Sequence, residues 1–130
     1  MLDPESLVIR GGAMADEYLL INAQTAYESP RFRGQWILSA VSLPDQPAEE
    51  IVRLSPQITQ AQYHVTTAGQ LIDAGFPAVE QNPPHAQILL NESLAGEPPT
   101  HETWETLRFI FGEGVDNPFY PERKRSGAKR

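Results

Sequence analysis

Short apolar runs of the β type alternate with segments of helical periodicity along most of this chain, and that alternation constrains its fold more than any other feature. Glycine or proline bounds most of the runs, as is typical of strands. A helical segment follows each of the first three runs, and the last two read as a hairpin or a bent pair. The predicted strands are SLVIR, QWILSAVSL, AQYHVT, PAVE and HAQILLN.

The resulting order, β-α-β-α-β-α-β-β-α, predicts an α/β fold. We expect a single-domain two-layer sandwich, with helices packed on a mixed sheet of about five strands. The domain is predicted to span residues 1–112, because no periodicity follows Gly112. Residues 113–130 are predicted to form an extended or mobile C-terminal tail.

Local signals also fix where two helices begin and which side chains are buried. Thr67, with Gln70 three residues later, fits a capping box at the start of the third helix. Thr100 is placed to cap the last helix. Strand alternation and the helical stripes predict one core, formed by Trp36, Leu38, Leu71, Ile88, Leu90, Trp104, Leu107 and Ile110.

Composition narrows the class of protein. The chain has a net charge of −7 and no cysteine, which excludes disulfides, thiolate zinc sites and a cysteine nucleophile and fits a cytoplasmic location. Five of the ten basic residues fall within residues 121–130, so an acidic body carries a basic tail. We expect only weak nucleic-acid contact, through that tail. No apolar run approaches the roughly 20 residues that span a bilayer, and no membrane contact is expected.

Two histidines offer the main catalytic alternative. His64, Val65 and Thr66 match half of the HxT pattern of two-histidine phosphoesterases, whereas glutamine follows His85 where a hydroxyl residue is expected. His64 and His85 would serve as acid and base on RNA or a nucleotide, with Arg10 or Arg33 holding phosphate. The competing interpretation makes His64 a half-buried strand residue and Thr67 a helix cap.

Two further types of site, an ADP-ribosyltransferase-like site and a metal site, would draw on overlapping sets of residues. Arg10 followed by glycine on the first strand, Ser39 and Ser42 on the second, and a later Glu80 are similar to the arginine, serines and glutamate of some ADP-ribosyltransferases. The spacing is not characteristic of that family. No HExxH motif or helical pair of ligands occurs among the histidines and acids, so the sequence predicts no metal and no cofactor.

The tail favours a different class of function. Phe119 and Tyr120 are apolar side chains in a segment without periodicity, and Arg123 and Arg125 follow them. Such a segment packs back onto its own domain or docks on a partner. Without a catalytic motif, the sequence favours a non-enzymatic protein-binding module, such as one half of a two-component, toxin–antitoxin-like bacterial system.

One resemblance covers most of the chain. The stretches VIRGG, TTAGQLIDAGF and FGEGVDNP resemble those of small uncharacterised open reading frames of actinobacteria and related bacteria. The many arginines and few lysines of the body are in keeping with a GC-rich genome. The resemblance implies no known activity and assigns no site residue.

Overall fold

A six-stranded sheet forms the centre of the protein. The computed structural model describes residues 2–32, 34–90, 97–121 and 123. The spatial order of the strands is β4-β5-β2-β1-β3-β6. Their bounds are β1 Leu7–Gly11, β2 Ile37–Val41, β3 Gln62–Thr67, β4 Ala78–Glu80, β5 His85–Leu89 and β6 Val115–Asp116.

The α/β class is confirmed, but the sheet differs from the predicted mixed sheet of about five strands. It has six strands, and every pairing between the described strands is antiparallel. A strand–helix–strand pattern does not by itself fix the strand direction. Here β2 runs antiparallel to β1, and the rings of Tyr27, near the end of α1, and Trp36, just before β2, stack with centroids 4.1 Å apart.

Four helices lie at the predicted places. Ser29, just before Pro30, ends α1, in keeping with the bias of the residue before proline against the helical region. At α3 the Thr67 side chain accepts a hydrogen bond from the Gln70 backbone N–H at 3.2 Å, so the predicted cap is confirmed. The helix bounds are α1 Asp16–Glu28, α2 Ala48–Arg53, α3 Ala68–Asp73 and α4 His101–Phe111.

Alternation along the strands sends side chains to both faces of the sheet. One face packs against α1, α3 and α4 and forms the larger core. Seven of the eight predicted core residues are buried there, and Ile110 is partly buried against them. The predicted core is therefore confirmed, and it includes Trp36, Leu38, Leu71, Ile88, Leu90, Trp104 and Leu107.

A second core, which the sequence reading did not separate, occupies the opposite face. Ile9, Val41 and Tyr63 pack there against α2, and Phe119 of the tail packs on them. β6 pairs with β3 through Val115 and Tyr63. The domain thus continues past its predicted end at residue 112, because the segment after Gly112 gains its order from the sheet edge and not from a pattern of its own.

Replacing Trp104 with alanine should destabilise the protein strongly. The ring is 2% exposed in the larger core, and removing such a side chain costs about 3–5 kcal/mol. Phe109 on the same helix is 88% exposed, so Phe109→Ala is a matched control expected to change the unfolding free energy by no more than about 0.5 kcal/mol. Chemical denaturation of both variants checks this, and equal effects would contradict the burial assignment.

Removal of the α3 cap should have a smaller effect. Thr67→Ala deletes the hydroxyl that accepts from the Gln70 N–H, and the loss of a threonine cap costs about 0.5–2 kcal/mol. Thr67→Ser keeps the hydroxyl and should retain most of that free energy. Thermal and urea unfolding of the two variants side by side provides the measurement, and a serine variant as unstable as the alanine variant would refute the capping role.

Candidate ligand-binding cleft

β1 and β2 are neighbours in the sheet, but their backbones pair at one position only. Their paired position is Ile9 with Val41, whereas β1 pairs with β3 along its whole length, as far as Gly11 opposite Tyr63. Gly12 has a φ of +84° and donates its N–H to the Gln62 carbonyl at 2.9 Å. The glycines therefore turn the end of β1 toward β3 and open a wedge beside β2.

Side chains from β1 and α1 fill the wedge in place of a strand ladder. The Oδ1 atom of Asn22 accepts the Ser39 backbone N–H at 3.1 Å. The guanidinium of Arg10 donates to the Ser39 carbonyl and, at 3.3 Å, to the same Asn22 Oδ1. The backbone groups of β2 that face the missing part of β1 are thus satisfied by two polar side chains.

The wedge opens into a cleft of about 360 Å³, here called the Arg10 cleft. Arg10 and His85 both line it, so the fold brings together two of the predicted site residues. None of the described residues that line it is acidic. The lining consists of Ile9, Arg10, Gly11, Asn22, Ser39, Ala40, Val41, Gln57, Ile58, Gln60 and His85.

The Arg10 guanidinium is a desolvated cation. Burial lowers the pKa of Arg10 to about 10, which still leaves the group charged at neutral pH. Its Nε is shielded from solvent and has no hydrogen-bond partner in the described part of the chain. A buried cation whose partners are a neutral carbonyl and a neutral amide retains unused capacity to bind an anion.

His85 stands at the rim of this cleft. It lies opposite Val41 on β5, and its ring Nδ1 is 3.4 Å from Gln57 Nε2. Either ring nitrogen of an imidazole can donate or accept, depending on the tautomer, so His85 can form a hydrogen bond with a ligand at the rim of the cleft.

His64 lies opposite Arg10 in the register of β1 and β3, but His64 and Thr66 occupy the sheet face opposite to that of His85. The Nδ1–H of His64 donates to the Gly112 carbonyl at 2.9 Å, and the buried Thr66 hydroxyl donates to Gln70 Oε1 at 2.7 Å. β3 and β5 are three strand spacings apart, roughly 14 Å. His64 and His85 consequently cannot act on one phosphate as the predicted acid–base pair, and the structure supports the interpretation of His64 as a half-buried strand residue.

The other predicted constellation is not assembled as a unit. Arg10 meets Ser39 in the wedge, but the Ser42 hydroxyl donates to the Leu7 carbonyl at 2.6 Å. Glu80 ends β4, which β5 separates from β2. Neither Ser42 nor Glu80 is among the described residues that line the Arg10 cleft.

The predicted partner-binding residues of the tail are engaged within the domain. Phe119 packs on the second core, and the Arg123 guanidinium lies 5.1 Å from the centre of its ring. Arg123 also donates to the carbonyls of Val52, Arg53, Ser55 and Ile58 at 2.8–3.1 Å, which covers the end of α2. Tyr120 is half-buried. Arg125, like Arg33, lies outside the described residues.

A separate group of charges joins α1 to α4 at the surface. His101 Nδ1 is 2.5 Å from Asp16 and its Nε2 is 2.5 Å from Glu105. The hydrogen bond to Asp16 is the main reason that the pKa of His101 is raised, and the same bond lowers the pKa of Asp16. Arg108 completes the network through Asp16, so these groups act as a surface tie between two helices.

The part of the chain that the structure describes contains neither a candidate metal site nor a candidate membrane-spanning helix. No group of three or more histidine, aspartate or glutamate side chains there is arranged to hold a metal ion. Within the same residues, none of the helices combines the length and the apolarity that a bilayer crossing needs.

The sequence reading missed the amide groups of the cleft, although one signal pointed to them. Asn22 follows Leu19 and precedes Ala26 on the buried stripe of α1. A polar side chain within such a stripe needs a hydrogen-bond partner, and Ser39 supplies it. Gln57 and Gln60 come from a loop without periodicity, and the sequence gives no comparable signal for them.

No protein-family model matches this chain, and comparison with curated proteins and with solved structures finds no significant match. The resemblance to actinobacterial open reading frames therefore stays a prediction. The geometry of the Arg10 cleft is the observation that bears on function.

The docked tail should contribute to stability. Arg123→Gln removes a guanidinium that serves four carbonyls, and we expect a loss of about 1–3 kcal/mol in unfolding free energy. Arg53→Gln makes the same change of charge at an exposed ion pair with Glu50 and should cost less than about 1 kcal/mol. Denaturant titration compares the two, and an Arg123 variant no less stable than the Arg53 variant would mean that the tail does not hold α2.

Proposed function

We propose that this protein is a binding module whose ligand carries a carboxylate or phosphate, held by Arg10 in the Arg10 cleft. The observation that supports it is a desolvated guanidinium without an acidic neighbour among the described lining residues, with its Nε left unpaired. An anion would neutralise the charge and accept from Nε. The cavity volume is that of a small-molecule site.

The other polar groups of the cleft suit such an anion. The side-chain amides of Gln57 and Gln60 can donate hydrogen bonds beside Arg10. The net charge of −7 repels anions at long range, but salt screens that repulsion beyond about 10 Å. Local contacts with the desolvated guanidinium are screened much less, and they would provide the affinity.

His85 supports a narrower enzymatic alternative. In its doubly protonated imidazolium form, His85 at the rim of the cleft can give a proton to the leaving oxygen of a phosphoester that Arg10 holds, while a water molecule attacks the phosphorus. This alternative uses His85 and Arg10 without His64. It requires turnover, so product release from a nitrophenyl phosphate would favour it and unaltered substrate would favour binding alone.

The toxin–antitoxin-like interpretation stays a prediction about a protein partner. Phe119 and Arg123 contact the domain itself, so a partner surface on the tail would have to be formed by other residues. Pull-down from the native organism, with the neighbouring genes read alongside, is its test.

Arg10→Gln should weaken anion binding. We expect saturable shifts of the Arg10, Asn22 and Ser39 amide resonances when phosphate or acetate is titrated into the native protein, because these residues meet in the wedge. The substitution should raise the dissociation constant about tenfold or more, as expected for the loss of a charged hydrogen bond.

Arg53→Gln removes the same charge outside the cleft and should leave the titration unchanged. Running phosphate and acetate separately distinguishes the two head groups. Absence of saturable shifts with both anions, or equal affinity in the folded Arg10 variant, would overturn the proposal.

A further inference from the structure

A second pocket adjoins the Arg10 cleft. It measures about 250 Å³ and is here called the Phe32 pocket. Asn22, Ser39 and His85 line both spaces, so the two are neighbours. Phe32, Ile37 and Ala26 give the Phe32 pocket apolar walls, and Arg31 lies 5.5 Å from the centre of the Phe32 ring.

Two glutamines provide the polar part of the Phe32 pocket. Gln87 Nε2 donates to Gln81 Oε1 at 2.9 Å, which fixes both amides side by side. The pair leaves the Gln87 carbonyl oxygen as an acceptor and an N–H of Gln81 as a donor. An acceptor beside a donor is complementary to the edge of a nucleobase, as amide side chains show when they read adenine.

The anion contact and the amide pair lie on strands with one strand between them. Ser39 of β2 contacts Arg10 of β1 through its carbonyl and lies opposite Gln87 of β5. Two strand spacings, roughly 10 Å, therefore separate the backbone that carries Arg10 from the backbone that carries the amide pair. A ligand that joins a phosphate to a heterocycle through one sugar fits that separation.

We infer that the ligand is a nucleoside monophosphate, with its phosphate on Arg10 and its base in the Phe32 pocket. The inference rests on the proposed anion-binding function and adds the class of ligand. A monophosphate fits better than a triphosphate, because Arg10 is the one cation that lines the cleft among the described residues. No acid in the described lining is available to hold the Mg²⁺ that accompanies polyphosphates.

Calorimetric titration of the full chain tests the inference, using AMP, GMP, CMP, UMP, ribose 5-phosphate and inorganic phosphate. At least one nucleoside monophosphate should bind about tenfold or more tightly than ribose 5-phosphate, the advantage of a paired amide contact. Gln87→Ala should remove that advantage and leave the affinity for ribose 5-phosphate unchanged. Gln81→Ala is a second variant with the same expectation, should the first lose its fold.

Gln24→Ala is the matched control, since Gln24 is exposed on α1 and lies outside both pockets. If ribose 5-phosphate binds as tightly as every nucleotide, the base site is refuted while anion binding on Arg10 stands. The matching nucleoside is titrated in the same way, and if it binds as tightly as its monophosphate, the placement of the phosphate on Arg10 is refuted. If none of the phosphate compounds binds, the inference fails, and the proposed function then survives only if acetate binds.

Discussion

The unequal pairing of β1 is the constraint on which the rest of this structure depends. β1 lies in the middle of the sheet and pairs in full with β3, but at one position with β2. A strand that leaves its neighbour exposes backbone groups that must find other partners. Asn22 and Arg10 supply them, which draws α1 against the sheet and places a cation in its interior. The side chains in the wedge thus satisfy the unpaired backbone groups of Ser39, and the same side chains line the candidate site.

Two guanidinium groups of this protein can be compared directly. Arg123 donates to four carbonyls around the end of α2 and lies over Phe119, so its role within the fold accounts for its position. Arg10 donates to one carbonyl and one amide oxygen, and its buried Nε has no partner among the residues that the structure describes. The same chemical group is satisfied by the fold in one place and left partly unsatisfied in the other. That difference is what makes Arg10, and not Arg123, the candidate ligand contact.

Much of the fold could be predicted from local pattern, whereas most of the site could not. The cap at Thr67 depends on residues three apart in the sequence, and Trp104 and Leu107 follow the helical stripe of α4. β6 was missed because Val115 and Asp116 are exposed and have no periodicity of their own. Arg10 and His85, two of the predicted site residues, line one cleft, and their catalytic role stays a prediction. His64 lies opposite Arg10 in the register of β1 and β3 but three strand spacings from His85, because strand order is a tertiary property that the sequence does not reveal.

The sequence by itself determined where five of the six strands and the four helices form, which side chains enter the larger core, and that the body is acidic. These properties depend on neighbours within a few residues, so short-range pattern carries them. Tertiary structure alone decided that the strands run antiparallel, that β1 parts from β2, and that the tail folds back over α2. Each of these is a contact between residues distant in the chain, such as Asn22 with Ser39 or Ile58 with Arg123. Such contacts depend on which backbone groups the sheet and the helices leave unpaired. A local sequence pattern holds no information about those groups.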